Sequence, residues 1–161
     1  MTDKTHYHTL FAYHWDTTRR LLNKAAGLDE AGRNESPGYG HGSIHDLLLH
    51  LLTTDHGWRG GLETGQQPPP LRREDYPDLE SLRAGFESEQ AAWEALLGKF
   101  GEAEIEADVN MTSLRGETYP IPRWRILQHL VLHGMQHHAE VAQLLTEQGR
   151  SPGNLDFIFY A

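Results

Sequence analysis

The 161-residue chain has no cysteine. Disulfides, thiolate metal ligands and a protein thiol nucleophile are thereby excluded. Positive charge is also scarce: 14 Lys and Arg face 23 Asp and Glu, giving a formal net charge of -9. Nucleic-acid binders draw most of their affinity from basic stripes that neutralise phosphates. Here only the short pairs Arg19-Arg20 and Arg72-Arg73 stand out. Neither nucleic acid nor an anionic membrane surface is an expected partner. No apolar run approaches the roughly 20 residues needed to cross a bilayer. The stretch Met1 to His8 is polar and carries no apolar signal segment. Together these absences lead us to expect a cytoplasmic protein. At 38% hydrophobic and 23% charged residues, the composition is that of a globular chain. The length suits a single domain spanning residues 1–161, with enough chain to bury a core.

Four helical stretches are readable. The first is expected from Asp3 to Ala26, with Leu10, Tyr13, Thr17 and Leu21 at helical spacing. A polar, glycine-containing connection follows at Asn34 to Gly38. The second begins at Ser43, where Asp46 three residues on completes a capping box, and runs to about Glu63. Pro68, Pro69 and Pro70 cannot continue it. The third follows the N-cap Asp78, carries Leu79, Leu82, Phe86, Trp93, Leu96 and Leu97, and stops near Gly101. Ile105 to Met111 alternate as a strand does, and Arg115-Gly116-Glu117 suits a hairpin tip with Tyr119 and Ile121 returning. The fourth helix is expected from near Pro122 to about Gln148, closed by Gly149 and Pro152. The apolar tail Leu155 to Tyr160 should pack on the bundle or on a second subunit. The expected fold is all-α: an antiparallel four-helix bundle with a small hairpin between the third and fourth helices.

What is abundant is histidine, 11 in all. Each helical residue advances about 100°. His133 and His137 therefore lie one turn apart, in the direction of Ile126, Leu130, Val141 and Leu144. Two imidazoles four residues apart on one helix can converge on a metal. Gly134 stands where a zincin would have glutamate, so that protease motif is absent. A third ligand must come from another helix. On the second helix, His50 lies at the margin of the face set by Leu47, Leu51, Thr54, Trp58 and Leu62, whereas His45 and His56 are expected to face solvent. Each inward histidine has a plainer explanation as a hydrogen-bonded core residue. Asp46 fits the capping box and also the role of acceptor for His50. Glu140 fits a solvated neighbour of His137, a base or a hydrogen-bond partner. His129 falls on the near edge of the apolar face and His138 on the far edge. His6, His8 and His14 are expected on a half-exposed face, and Trp15, Trp58, Trp93 and Trp124 in the core.

These segments resemble the DinB/YfiT-like superfamily of metal-binding helical proteins, which is unrelated to the DNA polymerase of similar name. The resemblance runs through Tyr13-His14-Trp15 with Arg20-Leu21-Leu22, through Ser43 to Leu51, through His129 to His137, and through Ser151 to Phe157. It implies a metal triad of His50, His133 and His137, a four-helix bundle and often a homodimer. Where the family commonly has arginine after its last ligand, this chain has His138. Some members are thiol S-transferases using a low-molecular-weight thiol, and some are isomerases.

Three imidazoles would leave a divalent ion at least one open position. Such a set suits zinc, nickel, copper or iron; zinc or nickel is expected first, with iron or manganese behind them. Release of the ion is expected below about pH 6, where ordinary imidazoles protonate. The expected function is a metal-dependent transferase acting on a small molecule with a low-molecular-weight thiol. A metal-dependent hydrolase or isomerase, and a non-enzymatic, stress-related metal-binding protein, are the alternatives.

Overall fold

The computed structural model describes residues 4–160; the expected helix start at Asp3 lies outside them. Four long helices form the body: α1 (Lys4–Ala25), α3 (Ile44–Thr64), α4 (Leu79–Gly98) and α6 (Arg123–Glu147). Two short helices, α2 (Glu30–Asn34) and α5 (Glu102–Glu106), sit in the connections. Strands β1 (Asp108–Thr112) and β2 (Thr118–Pro122) form an antiparallel hairpin, with Asn110 opposite Pro120.

Local chemistry sets the helix boundaries. Ser43 and Asp46 make the expected capping box at the start of α3, and Asp78 with Ser81 makes another at α4. Gly65, at φ 75°, closes α3 in the left-handed region that glycine adopts without penalty. Pro122 precedes α6, and Gly149 follows it at φ 72°.

Side-chain pairings give the helix directions. Tyr7 donates to the Trp124 carbonyl and Thr18 meets His138, so α1 and α6 run parallel. Lys4 reaches Gly98 and Arg19 reaches Gln90, so α1 and α4 run antiparallel. Trp58 meets His129 edge-on and His50 meets His137 edge-on, so α3 and α6 are antiparallel. The directions are therefore up, down, down, up in chain order. That order requires the chain to return along the bundle between the parallel helices α3 and α4. Residues 65–78 make this crossing; fully extended they could span up to about 46 Å, against about 31 Å for the 21 residues of α3. The three prolines keep the crossing extended.

The core is continuous, with Trp93, Leu21, Leu48, Leu52, Leu82, Ile126, Leu127 and Leu145 almost fully buried. Trp15 is buried as expected, but Trp124 is 36% exposed on the first turn of α6. The tail divides. The Tyr13 hydroxyl donates to the Leu155 carbonyl and the Tyr160 hydroxyl to Asp16, while Ile158 and Phe159 stay exposed. Among the described residues, no helix is long and apolar enough to cross a membrane.

Candidate metal centre

The antiparallel packing of α3 on α6 sets His50 against the stripe that carries His133 and His137. The Nε2 atoms of His50 and His133 lie 3.1 Å apart. The His137 ring sits 4.6 Å from that of His50 and 4.4 Å from that of His133, both edge-on. In the metal-free protein the close nitrogen pair requires one imidazole to donate to the other. The same spacing is close to the roughly 3.3 Å edge of a tetrahedron of nitrogens about 2.05 Å from a common ion.

A fourth imidazole joins the group. His41, on the connection before α3, stacks on His50 at 4.2 Å and 16° and meets His137 edge-on at 4.8 Å. One nitrogen from each of His41, His50 and His137 lies within 4.8 Å of the others, an arrangement that could hold a metal ion. Sequence reasoning missed His41, because it belongs to no helix and its flanking Gly40 and Gly42 give it no periodicity; the histidine excess was its sole signal.

The electrostatics favour neutral rings. Burial, reinforced by the charges His41 and His137 would carry, lowers the pKa of His50 to about 4. Burial and then His137, His50 and His129 lower that of His133 to about 3. Neutral imidazole is the form that donates a lone pair to a metal. Glu140 accepts from His137 Nδ1 at 2.9 Å, which fixes that ring and leaves Nε2 for the cluster. Asp46 does not reach His50. It binds Ser43 at the cap and pairs with Arg73.

Several histidines lie elsewhere than their angles suggest. His45 is 2% exposed and bonds the Tyr76 carbonyl at 2.9 Å; burial and then Arg73 lower its pKa. His56 leans on Glu89 and Arg59. His14 is buried, not half-exposed, with Nε2 3.1 Å from Asp55. His138 is fully buried, with Nε2 2.8 Å from the Thr18 hydroxyl, and burial holds its pKa well below the ordinary value. A polar pocket made by α1, α3 and α6 thus lies behind the cluster. His14, His45 and His138 each meet a polar partner on another element through one ring nitrogen, which helical phase alone cannot reveal.

Two clefts flank the cluster. One, beside His133, is walled by Thr54, Trp58, Gln67, Leu114 and His129. The other, beside His41, is walled by Tyr39, Leu47, Glu140, Gln143 and Leu144. No carboxylate lines the first.

The fold and sequence have relatives. YfiT from Bacillus subtilis superposes with a TM-score of 0.70 over 94% of this chain and 92% of its own, at 14% identity. It is described as "a probable metal-dependent hydrolase with an unusual four-helix bundle topology". A DinB-like protein from the same organism, YjoA, superposes with a TM-score of 0.64 over 88% of this chain and 93% of its own, also at 14% identity. Among curated proteins, no relative matches the sequence. The family model for DinB spans residues 1–161, and with it the four-helix body and the whole histidine cluster: the chain belongs to the DinB family.

Proposed function

We propose that His50, His133 and His137 hold one divalent ion, zinc or nickel foremost, and that the protein uses it on a small molecule entering from the flanking clefts. The observation that carries this reading is the 3.1 Å approach of His50 Nε2 to His133 Nε2, with the His137 ring edge-on to both. When bound, the ion supplies Lewis acidity and lowers the pKa of a thiol or water molecule that reaches it. The chain's own contribution is positional. Glu140 holds the His137 tautomer, and burial keeps His50 and His133 unprotonated. Trp58 and Leu114 offer apolar contact to a substrate, and Gln67 and Thr54 offer hydrogen bonds.

The first reading of the chemistry is transfer of a low-molecular-weight thiol to an electrophile. It is supported by the absence of any cysteine, so a sulfur nucleophile must come from outside. Hydrolysis is the second reading, favoured by the description of YfiT. A cytoplasmic location and a homodimer built through the exposed Ile158 and Phe159 belong to the same proposal. The test is turnover of a panel of small electrophiles and esters by zinc- and nickel-loaded protein, with and without added thiol. Thiol-dependent turnover supports the first reading and thiol-independent turnover the second. No turnover with either metal leaves a binding protein and refutes both.

A further inference from the structure

The loop joining α2 to α3 brings a fourth imidazole onto the cluster from the solvent side. Its route is set by glycine. Gly38, Gly40 and Gly42 have φ of 79°, 63° and 98°, so His41 is flanked on both sides by residues in a conformation that side-chain-bearing residues rarely adopt. The result places an exposed ring flat on His50, against His137 and beside the cleft walled by Tyr39, Leu47 and Glu140. His41 is exposed, so burial in the core does not account for this position.

We infer that His41 is a loop-borne fourth ligand, occupying the outward coordination position of the ion at rest and giving it up to an incoming ligand. The inference rests on the metal-binding reading above. Its geometry is short of coordination by a small movement. Nitrogens of His41, His50 and His137 lie within 4.8 Å of one another, against about 3.3 Å in a tetrahedral site, so the rings must draw together for His41 to coordinate. The ring must also turn out of its stacked orientation so that its lone pair faces the shared point. The neighbouring glycines allow both movements, since no residue beside His41 resists rotation about its backbone. The helical ligands differ: His137 is held by Glu140, and His50 and His133 stand on long packed helices. One labile ligand on a loop beside three fixed ones gives a site that keeps its ion while opening a position. The cleft behind Tyr39 gives a small ligand access to that position once the ring moves aside.

The test uses the full chain grown with nitrogen-labelled histidine and loaded with the spin-one-half isotope of cadmium. Each ligand imidazole then shows scalar coupling to the metal. The inference predicts four coupled histidines in the wild type and three in His41→Ala, with one ion bound in both. It further predicts that 2-mercaptoethanol removes the His41 coupling and leaves the other three. Three couplings in the wild type, with His41 uncoupled, would overturn the inference while leaving the triad standing. Four couplings that all survive 2-mercaptoethanol would overturn the exchange of ligands. Absence of coupling from His50, His133 and His137 would instead sink the reading beneath it. Circular dichroism of His41→Ala, expected to match the wild type because the residue is exposed, separates lost coordination from lost folding.

Discussion

Replacing Gly134 by alanine probes the packing behind the cluster. The residue lies between His133 and His137 on α6, where alanine would ordinarily favour the helix by about 1 kcal/mol. An added Cβ would fall 2.7 Å from His14 Cε1 and closer still to Nδ1. Carbon atoms in contact prefer about 3.5–4.0 Å, so the imidazole would have to retreat by about 1 Å. It has little room. His14 is buried, bonded to Asp55, and packed on Trp15 at 4.7 Å and His138 at 5.0 Å. Overpacking of this kind costs about 1–3 kcal/mol. Losing the His14–Asp55 bond would add about 1–3 kcal/mol. Net of the propensity gain, we expect a loss of about 3 kcal/mol, or a Tm lower by roughly 6–12 °C for a chain of this size. Urea and thermal unfolding of the metal-free protein measure it. Gly98→Ala is the control, since a Cβ there meets nothing within 4 Å; it should be neutral or mildly stabilising. Adding His14→Ala to the Gly134 change should cost less than the two separate changes together. A Gly134→Ala protein as stable as the wild type would refute this reasoning.

Other predictions follow from the same structure. Asp55→Ala should destabilise by about 2 kcal/mol or more, read as a lower urea midpoint, because it strips His14 of its hydrogen-bond partner inside the core. The metal-free protein should lose stability on acidification. Unfolded imidazoles take up protons near pH 6.5, whereas folded His50 and His133 resist until about 4 and about 3. Unfolding free energy should therefore be flat above about pH 6.5 and fall between there and about pH 3, and urea midpoints near pH 7.5 and near pH 5 that coincide would contradict this. The same lowered values favour release of a bound ion only below about pH 6, which dialysis at stepped pH would register. Light scattering should show a dimer that Ile158→Asp converts to monomer; a monomeric wild type would remove the proposed use of the tail.

Helical phase was legible where a single helix decides the outcome. The spacing of His133, His137, Ile126 and Leu130 put both imidazoles on the packed face of α6, and the fold brings their rings together with that of His50. The caps at Ser43 and Asp78 were readable for the same local reason. What sequence could not supply depends on pairing between elements. His14 finds Asp55 across 41 residues, and His138 finds Thr18 across 120. His45 takes the Tyr76 carbonyl from the crossing segment. Each polar ring sits at an angle that a lone helix would give to the surface or the margin, and each meets a partner that travels with another element. The parallel course of α3 and α4 was hidden too, since the proline-rich stretch marks an end to one helix without saying how far the chain travels before the next. Gly134 reads in sequence as a missing glutamate, and in the structure as the space into which His14 fits.

The most direct measurement is the metal content of the purified, tag-free protein by elemental analysis, beside His50→Ala, His133→Ala and His137→Ala. Close to one zinc or nickel per chain in the wild type, and almost none in each variant that retains its helical circular dichroism, is the result expected. Folded variants that hold as much metal as the wild type would contradict the site.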